Sequence, residues 1–275
     1  MQGVYRLKKG GNVAARGEGS RAADLVIVTC GSGGLRDYRA LDRIRNEPTI
    51  ETQMIITIDG PAGSGKSTAA RKLAAHLEIP YLDTGAMYRA LAHLALEEGV
   101  SIDDHDALVQ LAENADLWLD CGPTHTRVKA NGHDISEAIR SMAVSQVTSP
   151  IARNPEIRQI LVEKQRTIGQ QLGSFVTEGR DQGSVVFKDL ADVRFVVDAD
   201  LEKRAQRRYQ ELIADGEDVS LDEVRENLNT RDANDCKQWA PLLEPGQSIK
   251  IDTTNMTLSE VVDCLESHVR EAVGA

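Results

Sequence analysis

The chain has 275 residues, 41% hydrophobic and 27% charged, a balance that suits a globular protein with a full hydrophobic core. Its formal net charge of -11 excludes the broad attraction that dominates nonspecific nucleic-acid binding, so a polyanionic ligand needs a local cluster of positive groups. No apolar run approaches the roughly 18 to 20 residues of a membrane span. Cys30, Cys121, Cys236 and Cys264 form no CxxC pair and read as reduced thiols, not as a disulfide framework or zinc site. Leu25–Val28 is too short for the core of a signal peptide, and the chain is expected in the cytoplasm, without nucleic-acid or membrane partners.

Residues 1–52 are glycine-rich and carry Lys8, Lys9, Arg16 and Arg21. They read as a flexible N-terminal extension, or as sequence upstream of a start at Met54. Within them, Leu25–Gly34 mimics a strand and a phosphate loop but lacks the lysine. Residues 53–275 form the expected main domain. Ile55–Asp59 is an apolar strand, Ser67–Leu77 a helix, Pro80–Asp83 a second strand, and Ala86–Glu98 and Asp104–Glu113 further helices. The period then changes to two: Leu117–Leu119 and Arg127–Lys129 flank turn-rich sequence, and Asn131-Gly132 marks a hairpin. Helices follow at Ser136–Val147 and Pro155–Gln171, strands at Ser174–Glu178 and Val193–Val197, and helices at Leu201–Ala214 and Leu221–Thr230. Ser248–Asp252 is a last strand and Leu258–Val273 a closing helix. Strands separated by helices predict an α/β fold with a parallel sheet covered on both faces.

Gly60-Pro61-Ala62-Gly63-Ser64-Gly65-Lys66-Ser67-Thr68 matches GxxxxGK[ST], and it stands between a strand and a helix, as a phosphate loop requires. Glycines let several N–H groups turn inward, and the helix start adds partial positive charge. Lys66 is placed to reach β- and γ-phosphates and the Ser67 hydroxyl to hold Mg²⁺. The motif specifies a nucleoside triphosphate and leaves its acceptor open.

Thr84 stands at a helix start as a candidate cap, with Tyr88 and Arg89 one turn further on. An arginine there can meet a second phosphate end to end with the first. Glu178-Gly-Arg180-Asp181 follows a strand at the sheet's C-terminal edge, where open α/β sheets bind ligands. Arg180–Asp181 is either a surface salt bridge or part of the site, and Glu178 can orient Mg²⁺ or its waters. Arg204, Arg207 and Arg208 share one helical stretch, and Arg231 to Asp235 add another charged cluster. Taken alone, such a face is ordinarily just solvated.

Together these motifs resemble bacterial cytidylate kinase, a family of P-loop nucleoside monophosphate kinases, from about Met54 to the C-terminus. The resemblance rests on residues 58–66, 82–89, 178–187, 204–208 and 231–235 in this order. It implies a P-loop NTPase-type sheet with a β-containing acceptor insertion at about 84–160 and a short lid at about 204–218. It implies transfer of the γ-phosphoryl group of ATP to CMP or dCMP in pyrimidine nucleotide metabolism, with Mg²⁺, by a monomer. Residues 60–68 then cradle ATP; Thr84, Tyr88, Arg89, Arg180 and Arg231 hold the acceptor's phosphate and sugar; Asp235 contacts the ribose. Ser149, Arg158 and Asp181 read the cytosine, whose N4 amine wants an acceptor and whose O2 and N3 want donors. Lys66, Arg180, Arg204 and Arg208 are the expected catalytic set, the last two as lid arginines. One departure stands out: the family's further arginine, about three residues after Asp235, is replaced by Lys237-Gln238, and lysine lacks the bidentate fork. Two other readings stay open, a P-loop kinase for another small acceptor such as shikimate or AMP, and a nucleotide-dependent switch without kinase activity. The lack of an Asn-Lys-x-Asp motif counts against a GTPase.

Overall fold

The computed structural model describes residues 3–6, 53–214 and 216–274. The first strand, β1 (Gly3–Arg6), pairs antiparallel with the fourth. The rest of the expected N-terminal extension, with the mimic loop at Leu25–Gly34, lies outside the described residues. β2 (Ile55–Asp59) carries three isoleucines around Thr57 and is buried from Ile56 to Asp59, so it needs cover on both faces. It takes the centre of a five-stranded parallel sheet. β3 (Tyr81–Asp83) forms one edge, and the later β7 (Phe175–Gly179) lies between it and β2. On the other side come β8 (Val193–Asp198) and β9 (Ile249–Asp252). A second, antiparallel sheet holds β1, β4 (Leu117–Cys121), β5 (Thr126–Ala130) and β6 (His133–Asp134). Its β5–β6 turn puts Asn131 and Gly132 at positive φ, 49° and 87°, the turn that the Asn-Gly pair predicts.

Eight helices join the described strands. α1 (Lys66–His76) and the closing α8 (Leu258–Val273) cover one face, burying Leu73, Val262 and Leu265 against Ile56, Ile58 and Phe195. On the other face α2 (Thr84–Glu97), α3 (His105–Asn114), α4 (Met142–Arg153) and α5 (Pro155–Leu172) enclose a second core with Leu82, Met87, Leu91, Leu161, Phe175 and Phe187. Each such side chain contributes about 1.5–3 kcal/mol by leaving water. α6 (Leu201–Ala214) and α7 (Leu221–Trp239) pack together beyond the phosphate loop. Among the described residues no helix is long and apolar enough to cross a membrane.

Three local expectations need correction, and one element was not expected. Thr84 does not cap α2: Asp83 does, its carboxylate accepting the Ala86 N–H at 3.0 Å, while the Thr84 hydroxyl donates to the Glu178 carbonyl. The helix expected over Ser136–Val147 is two pieces, a 3₁₀ turn at Ala138–Arg140 and then α4, because extended Ser141 caps the second piece through Val144. α7 does not stop at Thr230 but runs on through Arg231–Trp239, where tertiary ion pairs from Asp232 and Asp235 override weak helix formers. Finally, Gln182–Val186 forms a π-helical turn directly after Asp181, which the sequence pattern does not announce.

Candidate active site

β2 ends at the sheet's C-terminal edge, and residues 60–68 curl from it into α1. At Gly60, φ is 142°, and a Cβ there would lie 2.1 Å from the Val197 carbonyl oxygen, so only glycine fits. Protein side chains brace the loop by its carbonyls: Arg204 donates to Ala62 O at 3.1 Å and the Thr253 hydroxyl to Ser64 O at 3.1 Å. In a planar trans peptide the N–H points opposite the C=O, so the braced peptides turn their N–H groups away from the braces. Gly65, in the left-handed region, leads into α1 without a side-chain cap. The first turn of α1 is therefore open to an anion.

Lys66 is buried and donates to Pro61 O at 3.2 Å, with Glu178 Oε2 at 3.8 Å. Burial, aided by the Arg180 guanidinium, pulls its ammonium down to about 7 against the opposing pull of Glu178. The other Glu178 oxygen accepts the Ser67 hydroxyl at 2.9 Å. Thr68, next along α1, is exposed. Ser67 and Glu178 thus offer hard oxygen donors side by side, the donor chemistry that Mg²⁺ takes when phosphates supply its other ligands. Among the described residues no group of three or more His, Cys, Asp or Glu side chains gathers to hold a metal by itself.

Beside this loop four arginines stand in protein ion pairs. Arg89 meets Asp83 at 2.9 Å; Arg158 meets Asp181; Arg180 meets Asp235 at 3.1 Å; Arg204 meets Asp232 at 2.7 Å. Arg180 also donates to Gly60 O at 3.1 Å, which places it at the phosphate loop. Burial raises the Asp181 carboxyl above the usual range while Arg158 opposes the rise. The Arg231 side chain makes no hydrogen bond or ion pair among the described residues. Burial and the nearby Arg180 lower its guanidinium from the ordinary arginine value. Tyr88, pushed up to about 12 by burial and by Asp181, borders Arg158 and Asp181.

The structure therefore brings Arg158, Asp181 and Tyr88 together, and Arg180, Arg231, Asp235 and Lys66 together. It leaves Ser149 apart: exposed on α4, one turn before Ala152, whose carbonyl Arg158 reaches at 3.4 Å. Arg208 is 44% exposed and paired with Glu211 on its own helix, with its charge near enough to Arg231 to help lower that guanidinium. Arg204, expected in a lid, is buried behind the loop with its fork on Ala199 O, Ala62 O and Asp232. Lys237 is exposed, and the Gln238 carbonyl accepts the Ser184 hydroxyl at 2.6 Å. Sequence reasoning missed Asp59, Asp83, Gln165 and Gln182, which hold these groups from behind. A carboxylate ending the buried apolar strand at Asp59 was the one available signal.

A parallel sheet of order β3-β7-β2-β8-β9, with a braced Gly-rich loop, a buried lysine and facing arginines, defines a P-loop phosphotransferase. The family model described as cytidylate kinase matches residues 56–271. The cytidylate kinase of Caldanaerobacter subterraneus subsp. tengcongensis is 44% identical over 223 residues, spanning 81% of this chain and 97% of that protein. Those of Geobacter sulfurreducens and Clostridioides difficile are 41% and 40% identical, over 79% and 78% of this chain and 93% and 98% of theirs. The chain belongs to the cytidylate kinase family, and it is an ATP-dependent phosphotransferase.

Proposed function

We propose that this protein transfers the γ-phosphoryl group of ATP to CMP or dCMP, yielding ADP and CDP or dCDP. The observation that carries the reading is the meeting of two half-sites at Arg180. Its guanidinium touches the phosphate loop through Gly60 and the acceptor side through Asp235. Residues 60–68 cradle the ATP phosphates, with Lys66 leaving Pro61 O for the β- and γ-phosphates. Arg89, Arg180 and Arg231 take the acceptor phosphate, Arg231 with no protein ion pair to break. Thr84, Tyr88 and Asp235 line its sugar and phosphate. Asp181 accepts the cytosine N4 amine, and Arg158 and Ser149 supply donors to O2 and N3. A bound base replaces the Arg158–Asp181 pair with its own complement, so desolvated charges stay satisfied.

Ser67, with Glu178 through water, would hold Mg²⁺, which supplies charge neutralisation of the transferring phosphoryl. Around it Lys66 and Arg180 stabilise the charge that spreads over the equatorial oxygens. The catalytic set read from the sequence also names Arg204 and Arg208. We assign Arg204 to holding the loop's shape, and Arg208 to reaching the phosphates only on closure of the lid at about 204–218. Residues about 84–160 form the acceptor insertion of a 53–275 kinase domain that works as a cytoplasmic monomer. A coupled ADP-release assay with ATP-Mg²⁺ and, in turn, CMP, dCMP, UMP, AMP, GMP and shikimate tests the reading. Fast turnover is expected with CMP and dCMP; turnover with neither contradicts it.

A further inference from the structure

Asp59 closes the central strand with a carboxylate that is fully buried. Such a group is costly unless its oxygens are satisfied. Both are, by the backbone of the acceptor turn more than 120 residues away: Gln182 N–H donates at 2.9 Å to one and Gly183 N–H at 2.7 Å to the other. The approach is close enough that a Cβ on Gly183 would lie 2.7 Å from the Thr57 hydroxyl. Those two amides directly follow Arg180 and Asp181. The Gln182 side chain continues the connection. Its oxygen accepts from Thr177 and its amide donates to Gln165 of α5, both at 3.2 Å, and Gln165 in turn hydrogen-bonds Tyr88. Gln165 and Gln182 are themselves buried.

We propose that Asp59 is a positioning residue for the acceptor half of the reaction. Its carboxylate sets the turn that carries Arg180 and Asp181, and the Gln182–Gln165 amide pair passes that position on to Tyr88. The inference rests on the acceptor assignment above. Both hydrogen bonds of the carboxylate go to the acceptor turn, and the turn meets the ATP loop only through Arg180 at Gly60 O among the described residues. An unpaired buried carboxylate that holds two amides specifies a geometry that an uncharged residue cannot.

The same device makes acceptor binding sensitive to protons. Burial pushes the Asp59 carboxyl up to about 7, against the two amide bonds and with help from Asp181 and Glu178. Charged groups face it from several elements: Lys66 of α1, Glu178, Asp181 and, past Gly183, the Arg194 side chain of β8. Protonation takes away one strong acceptor, so the turn loosens as pH falls through neutrality.

The experiment is steady-state kinetics of the full chain and its Asp59→Asn variant from pH 6 to pH 8.5, with CMP and ATP varied separately. The asparagine oxygen can accept only one of the two amides. At pH 8 the CMP KM is expected to rise about tenfold, the loss of one hydrogen bond to a charged group, with the ATP KM within about twofold. Wild-type CMP KM should also rise towards pH 6 more than the variant's. The nucleotide's own phosphate, which titrates near 6, affects both equally. A CMP KM unchanged at every pH, or CMP and ATP KM values rising together, would overturn the proposal. Should Asp59→Asn fail to fold by circular dichroism, Gln165→Leu is read by the same split. A wild-type protein that turns over neither CMP nor dCMP contradicts the underlying assignment before any variant is made.

Discussion

The two halves of the site are built in different ways. The donor half is a continuous loop of nine residues whose shape comes from backbone: glycines at its turns, carbonyls braced by Arg204 and Thr253, and an uncapped helix start. The acceptor half is assembled from side chains of α2, α5, the turn after β7 and α7. Three of its arginines, Arg89, Arg158 and Arg180, are already paired with Asp83, Asp181 and Asp235. A backbone loop is ready for phosphate before ATP arrives. A paired-arginine pocket must exchange partners, and so pays to bind anything that does not replace the carboxylates it displaces. Affinity belongs to the first design and selectivity to the second.

This contrast can be broken at either half. Lys66→Ala removes the buried ammonium at the loop, and kcat should fall on the order of 10³-fold or more, with the circular dichroism spectrum unchanged. Near-normal turnover would refute the phosphate-loop assignment. Arg180→Ala strikes the point of contact between the halves. It should raise the acceptor KM and lower kcat, together on the order of 10²-fold in kcat/KM; an unchanged rate would reduce Arg180 to a salt bridge with Asp235. Arg204→Ala leaves Asp232 without its buried partner and frees the Ala62 carbonyl. A loss of about 3 kcal/mol in denaturant unfolding is expected, with ATP affinity falling more than CMP affinity. The smallest effect is a proton. With Lys66 held near 7 in the free protein, most molecules carry it neutral at pH 8, and bound phosphates recharge it. Calorimetry of ATP binding at pH 8, in buffers of different ionisation heat, should therefore show net proton uptake that Lys66→Met abolishes. Uptake persisting in that variant would assign the proton elsewhere.

The same contrast explains what the sequence made legible. The donor loop was readable because its residues are consecutive and its physics is local: a strand, glycines, a lysine, a hydroxyl, a helix. Hydrophobic period gave the five sheet strands and the position of α6 and α8 within a residue or so. The acceptor half was readable only as isolated arginines, each with an ordinary surface explanation, until five motifs in order tied them to a family. What pattern did not show is what holds them. Asp83 precedes Arg89 by six residues, while Asp235 pairs with Arg180 from 55 positions away; both look like helix-surface charges, and Gln165 looks like a polar residue on an amphipathic helix, though it is buried. Asp59 is the last letter of an apolar strand, and its partners are amides 123 and 124 positions away. The family resemblance made Arg204 a lid arginine, and its charged helix alone reads as solvated; its burial follows from the tertiary packing of α6 against the loop and α7. Helix α7 outran its predicted end because its partners, Arg180 and Arg204, come from other segments.

The separation of the two halves can be measured directly. Titration calorimetry would compare ATP and CMP binding by the wild-type protein and by Asp181→Asn, whose side chain no longer neutralises Arg158 but stays the same size. The account predicts that CMP affinity falls at least about tenfold while ATP affinity stays within about twofold. CMP affinity unchanged, or both affinities falling together, would contradict it.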